Sequence, residues 1–199
     1  MEVKICGIRT LDEAKKISDL NPDYLGFVLF FPKSKRNISI DDAATIIKAV
    51  PAVKKVAVTV SPTLEQIKKI EYARFDILQI HGAFDISLLK DTDIPVIRAF
   101  NAGNIEDLSS YIDNDKVVGL LFDAPSPGSG QTFDYSLIPD IKDNDKKIFL
   151  SGGLNPSNVK SAIQAVNPHA VDVSSGVENS DGTGKDIKLV EEFIKAARS

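Results

Sequence analysis

The strongest constraint on this chain is a rhythm. A short β-branched run, a turn and an amphipathic stretch recur about eight times along 199 residues. The spacing predicts strands at Glu2–Cys6, Asp23–Leu29, Lys54–Val60, Phe75–Ile80, Pro95–Phe100, Lys116–Phe122, Lys147–Leu150 and Ala170–Val173. Thr10-Leu11-Asp12-Glu13 reads as a capping box opening a helix to about Ser18. Ser39, with Asp41 and Asp42 in the first turn, starts a helix to Ala49, and Ser61-Pro62 supplies an N-cap and a first-turn proline. Further helical stretches are expected at Ile86–Lys90, Asn104–Ile112, Tyr135–Ile141, Pro156–Val166 and Asp186–Ala197, with loops at Phe31–Asn37 and Ala124–Phe133. Runs such as Val56-Ala57-Val58-Thr59-Val60 are apolar on both faces, as a helix-covered parallel sheet requires. Eight βα units with short returns imply an α/β fold: one single-domain (βα)8 TIM barrel spanning 1–199, rather than an open doubly wound sheet.

Two phrases near the C-terminus sharpen this. Ile148-Phe149-Leu150 breaks into Ser151-Gly152-Gly153, and Ala170-Val171-Asp172-Val173 breaks into Ser174-Ser175-Gly176. Small residues at a strand end let backbone N–H groups approach an anion, and in such barrels the loops after strands seven and eight form a phosphate site. Two unliganded Gly-rich turns are the plain alternative; their pairing one βα unit apart favours a ligand. A net charge of −4 argues against nucleic acid or an anionic membrane as the main partner. Cys6 is the only cysteine, which excludes an intrachain disulfide and points to a reducing compartment. Met1-Glu2-Val3-Lys4 lacks the apolar core of a signal peptide, and no run approaches the ~20 residues of a membrane span. The expected location is the cytoplasm. Two histidines without clustered Cys or paired carboxylates make no metal site.

Function in a βα barrel sits at the C-terminal strand ends. Reading those positions selects Cys6, Arg36, Gln79, His81, Asn101, Asp123 and the two small-residue phrases. Strand parity puts Lys4 and Cys6 on the inner face of the first strand and Asp123 at the inner top of the sixth. Asp172 shares a face with Ser174, so Lys4 and Asp172 are expected to pair inside the barrel, within about 6 Å. Each residue has a plainer reading: Cys6 as a small core hydrophobe, Asp123 as a cap, Arg36 as a solvated charge beside Lys33 and Lys35, His81 as a turn residue. Asp134 reads as the N-cap of the next helix.

Taken together, the phrases resemble those of the phosphoribosylanthranilate isomerase family of tryptophan biosynthesis. They are Lys4-Ile5-Cys6-Gly7, Phe31-Pro32-Lys33-Ser34-Lys35-Arg36, Leu78-Gln79-Ile80-His81-Gly82, Leu121-Phe122-Asp123, Leu150 to Pro156, Val171 to Glu178, and Gly184-Lys185-Asp186, in order along the whole chain. The resemblance implies an Amadori rearrangement of phosphoribosylanthranilate, with Asp123 as general acid and Cys6 as general base. It further implies Arg36 on the anthranilate carboxylate, Gln79 and His81 lining the aromatic end, and Gly152, Gly153, Ser174, Ser175 and Gly176 around the phosphate. No cofactor is implied, and the chain would act as a monomer or homodimer. An ordinary Asp is ionised at neutral pH and an ordinary Cys is mostly thiol, so Asp123 must either be raised by burial or act from a small protonated fraction, and a cation such as Lys4 or a helix N-terminus is what could lower Cys6.

The chain departs from that family at Ser129, Gln131 and Tyr135, where Thr, Lys and Trp are more usual, and Asn179–Gly184 is one residue longer. The related isomerase of histidine biosynthesis is the nearest alternative, but it resembles this chain less: that family has Asp where Cys6 stands, and Thr59-Val60-Ser61-Pro62 lacks a Gly pair for a second phosphate. A barrel that binds a sugar phosphate without catalysis is the other alternative. It leaves Cys6 and Asp123 without a task.

Overall fold

In the computed structural model, which describes residues 1–124, 133–139, 141 and 145–199, nine strands lie parallel in one sheet among the described residues. They are β1 (Glu2–Cys6), β2 (Tyr24–Leu29), β3 (Asn37–Ile38), β4 (Lys54–Val60), β5 (Ile77–His81), β6 (Val96–Asn101), β7 (Val117–Asp123), β8 (Lys147–Leu150) and β9 (Ala170–Val173). Eight form a ring in the order β1-β2-β4-β5-β6-β7-β8-β9, closed where β9 pairs with β1 and sets Asp172 opposite Lys4. The extra strand β3 pairs only with the end of β2, drawing Asn37, the last residue of the expected Phe31–Asn37 loop, into a two-residue ladder with Ile38. The helices are α1 (Leu11–Ser18), α2 (Ile40–Ala49), α3 (Leu64–Tyr72), α4 (Leu108–Ile112), α5 (Val159–Val166) and α6 (Ile187–Ala197), with 3-10 turns at Ile86–Asp91, Tyr135–Leu137 and Ser175–Val177. Most of the Ala124–Phe133 loop, including Ser129 and Gln131, lies outside the described residues, as does part of the Tyr135–Ile141 stretch.

Alternation along each strand sorts the apolar side chains into two cores. Val3, Ile5, Leu25, Phe27 and Leu120 point outward against Ile17, Ile67 and Phe193 of the helices. Tyr24, Val56, Val58, Ile97, Leu121, Phe149 and Ala170 fill the barrel interior with Cys6 at its upper edge. Each such side chain contributes roughly 1.5–3 kcal/mol on burial. The floor of the interior is held by Tyr24, whose ring meets Phe149 edge to face at 5.5 Å and whose hydroxyl donates to Glu2 at 2.7 Å. Lys147 closes the same Glu2 at 2.6 Å. Polarity at the opposite, C-terminal end is what remains for chemistry.

Several helix starts depart from the sequence reading in detail, some through tertiary competition and some through local turns. Thr10 caps α1 by accepting from Glu13 N, but the Glu13 carboxylate does not return to Thr10. It accepts from Arg9 N at 2.7 Å and from Lys185 N at 2.6 Å, tying α1 to the last βα loop. Ser61 is not a cap: its N–H continues the ladder to His81 O at 2.9 Å, its φ is 48°, and Thr63 with Gln66 forms the capping box of α3. Asp107 at φ 58° delays α4, and an Asn155–Asn158 turn delays α5 to Val159. Asp134 does cap its turn, accepting from Ser136 N at 2.9 Å. Among the described residues no helix is long and apolar enough to cross a membrane.

Candidate active site

The ends of β1, β5, β7, β8 and β9 converge on one cleft. Its wall contains Cys6, Arg36, Gln79, His81, Asp123, Ser151, Gly152, Gly153, Ser174 and Ser175, whereas Asn101 lines a separate hollow with Arg98 and Phe100. Gly176 sits behind the wall. A Cβ on it would lie 2.0 Å from Leu154 O, so the glycine is required first by close backbone packing of the two C-terminal loops. Gly152, at φ 93°, is likewise pinned, since a Cβ there would meet Ala124 N at 2.6 Å. The two phrases thus fit into each other and into the end of β7. Among the described residues, the N–H groups of Gly152, Gly153, Ser175 and Gly176 have no hydrogen-bond acceptor. Two turns that expose unpaired amides side by side make an anion cradle.

Lys4 lies under the cleft, fully buried, with Nζ 2.9 Å from Asp172 Oδ2, so the expected interior ion pair is formed. The other carboxylate oxygen of Asp172, Oδ1, is buried without a partner. Cys6 stands above Lys4. A Cβ on Gly26 of neighbouring β2 would lie 2.8 Å from Cys6 Sγ, so that glycine makes the room the thiol occupies. Burial pushes the Cys6 thiol up; Lys4 and Lys185 pull it down and Asp172 adds to the rise. Lys4 thus does pull the Cys6 pKa down, as expected, but desolvation outweighs that pull and the thiol stays above its ordinary value.

Asp123, buried at the end of β7, is pushed up to about 6. Burial is the main cause, opposed by the hydrogen bond from Ala124 N at 2.8 Å, reinforced by Asp172, and opposed again by Lys4 and the Ser151 hydroxyl. A carboxyl with that pKa is about one-tenth protonated at pH 7, against about a thousandth for an ordinary Asp. On β5, Gln79 Nε2 lies 2.7 Å from His81 Nε2, and His81 is held down to about 3, chiefly by burial and then by Lys4 and Arg98. His81 is thus a neutral wall residue, unsuited to take up a proton. Arg98, behind the wall, donates to Ile80 O at 3.0 Å and Gly82 O at 2.7 Å, fixing the backbone on both sides of it.

Arg36 is no solvated charge. Its side chain is 15% exposed, its Nε is 2.5 Å from Glu178 Oε1, and it enters the wall beside apolar Val28, Phe31, Val58 and Val60. Sequence reasoning did not single out Glu178 and Lys185, which pack against Arg36 and Ser174 at the edge of the cleft. Both lay in phrases already singled out, but the burial of Lys185 that makes it need an anion appears only in the fold. Lys185 Nζ reaches Ser174 O at 2.9 Å and Glu178 at 3.5 Å, and Ser174 Oγ donates to Cys6 O at 3.0 Å. Among the described residues no three His, Cys, Asp or Glu side chains converge as a metal-binding set.

The arrangement pairs a protonatable carboxyl with a thiol across a cleft that offers an amide-lined cradle on one side and an arginine among apolar side chains on another. The model of the N-(5'-phosphoribosyl)anthranilate isomerase family matches residues 3–196. The N-(5'-phosphoribosyl)anthranilate isomerase of Streptococcus gordonii is 42% identical over 200 residues, covering 99% of this chain and 97% of that protein. The crystal structure of the Thermotoga maritima enzyme superposes with a TM-score of 0.87 at 41% identity, covering 100% and 98%. A phosphoribosylanthranilate isomerase crystallised with reduced 1-(o-carboxyphenylamino)-1-deoxyribulose 5-phosphate gives 0.84 at 39% identity, covering 100% and 98%. With its barrel closed and its family phrases gathered at one end, this chain belongs to the N-(5'-phosphoribosyl)anthranilate isomerase family.

Proposed function

We propose that this chain converts N-(5'-phosphoribosyl)anthranilate into 1-(o-carboxyphenylamino)-1-deoxyribulose 5-phosphate, a step of tryptophan biosynthesis, with Asp123 as general acid and Cys6 as general base. The observation that carries this reading is the pairing of those two groups across a cleft whose other side is lined by unpaired amides. The cradle of Gly152, Gly153, Ser175 and Gly176 holds the phosphate, with Ser174 beside it. Arg36 takes the anthranilate carboxylate, because a planar guanidinium matches that group with two donors. Gln79 and His81 border the aromatic ring. Fixing both ends of the substrate turns a flexible sugar into a near-attack geometry.

Asp123 gives its proton to the furanose ring oxygen while the anilino nitrogen pushes in its lone pair. The C1′–O bond breaks and a protonated Schiff base forms. The Cys6 thiolate then removes the C2′ proton, and the C–H electrons flow through C1′ to neutralise the iminium nitrogen. The enolamine tautomerises to the ketone. The steps move only protons and electron pairs within the substrate, so this mechanism calls for no metal or cofactor. Residues 1–199 act as one catalytic domain in the cytoplasm, as a monomer or homodimer and with neither nucleic acid nor membrane as partner. The test is loss of anthranilate-type fluorescence on turnover of phosphoribosylanthranilate, run beside the histidine-pathway substrate. Turnover of the first alone supports the reading. Turnover of only the second, or binding without turnover, overturns it.

A further inference from the structure

We infer that Glu178 is a positioning residue that sets the enzyme's preference for a carboxylate-bearing aromatic ring by presenting Arg36 to it; this rests on Arg36 being the carboxylate ligand. Glu178 is absent from the cleft wall, so any effect on substrate must pass through another side chain. Its Oε1 takes the inner nitrogen of Arg36, Nε, at 2.5 Å, while Oε2 takes Lys35 Nζ at 2.8 Å and Lys185 Nζ approaches Oε1 at 3.5 Å. One carboxylate among three cations leaves local positive charge over. Because Nε is the atom used, the two terminal amino groups of Arg36 stay without a hydrogen bond among the described residues. Those groups form the fork that a second carboxylate matches.

The stem of Arg36 is also confined from below. Gly7, at φ 86°, lies so close that a Cβ on it would be 2.6 Å from Arg36 Cδ. The loop after β2 is tied to the loop after β9 a second time by Arg9, which donates to Lys35 O at 3.4 Å and Gly182 O at 3.1 Å. So the guanidinium is held by a hydrogen-bonded carboxylate, a glycine floor and two loops joined to each other. A long side chain that would otherwise sample many rotamers is ordered before substrate arrives, which removes an ordering cost from binding. The extra residue of Asn179–Gly184 falls in the loop that supplies both ties.

The experiment compares two reduced product analogues, one with the ring carboxylate and one with hydrogen in its place, as competitive inhibitors of wild type, E178Q, R36M and the double variant. Wild type should prefer the carboxylate analogue, and R36M should abolish the preference. E178Q should cut it about tenfold, raise KM about as much, leave kcat within about twofold, and leave affinity for the carboxylate-free analogue unchanged. In the R36M background E178Q should add nothing, since the two residues act as a unit. E178D, which keeps the charge but withdraws it by one methylene, should lie between wild type and E178Q, and serves in its place if E178Q does not fold. Equal weakening of both analogues by E178Q, or full additivity with R36M, overturns the inference while leaving Arg36 in its role. A preference that survives R36M overturns the Arg36 reading and the inference with it.

Discussion

Two carboxylates face the same cleft from different strands. Asp172 on β9 is met at 2.9 Å by a fully buried lysine, whereas Asp123 on β7 is met by a backbone N–H and no cation. Asp123, buried with no cation against it, has its pKa pushed up to about 6. The difference teaches that proton-holding capacity here is assigned by the distribution of counter-charge rather than by residue type. Lys4 cannot serve both. By pairing with Asp172 it leaves Asp123 able to hold a proton, and Asp172 itself then helps to keep that proton on.

The contrast is broken most severely by Lys4→Met. It strands Asp172 in the interior, and the expected loss is about 3–5 kcal/mol of unfolding free energy. Lys4→Met with Asp172→Leu should recover most of that loss in urea melts; no recovery would mean that the pair does not govern stability. Next come Asp123→Asn and Cys6→Ala, each expected to lower kcat at least about a hundredfold with little change in KM. Near-normal turnover in either variant removes that residue from the mechanism.

A third variant effect runs the other way. The folded-state pKa of Asp123 is above its ordinary 3.8, so the folded protein grips this proton and stability is lost as pH rises between about 4 and 6. Asp123→Asn is therefore expected to raise stability above pH 7 by about 2–3 kcal/mol and by nothing near pH 4. A pH-independent difference would show that burial is not what shifts Asp123. The smallest effect is a break in the pH profile of kcat/KM. Above about pH 6, rising pH removes protonated Asp123 and supplies Cys6 thiolate in equal proportion, and the profile is flat. Below it only thiolate is being lost, and the rate falls tenfold per unit. In Asp123→Asn the break should vanish and the residual rate climb throughout.

What the sequence made legible follows the same division between local and shared causes. The bounds of β1, β4, β8, β9 and α2 coincide with the reading, because strand alternation and a Ser cap are settled within a few residues. The Lys4–Asp172 pair was accessible because parity and ring closure suffice to place it. Ser61 and Glu13 misled because their polar groups had two possible partners, and the winners, His81 O and Lys185 N, are distant in the chain. The pull of Lys4 on Cys6 was legible, but the burial that outweighs it was not, because desolvation depends on how the whole barrel packs around the thiol. Glu178 escaped because a residue that acts through Arg36 leaves no mark at a strand end. Gly176 carried a further lesson, since the backbone of Leu154 explains its identity before any ligand does.

The seam between β1 and β9 has a consequence for how the enzyme is made. Cys6 and Ser174 touch across 168 positions of sequence, as do Lys4 and Asp172. During synthesis the first strand emerges with Cys6 and Lys4 at once, yet both wait for Ser174 and Asp172 until β9 has been made. Until then the growing sheet has two open edges, the condition under which nascent chains associate wrongly. β9 therefore seals the barrel, neutralises its interior charge and completes the wall of the cleft in one event, so on the proposed mechanism a chain stopped before it is also an inactive one.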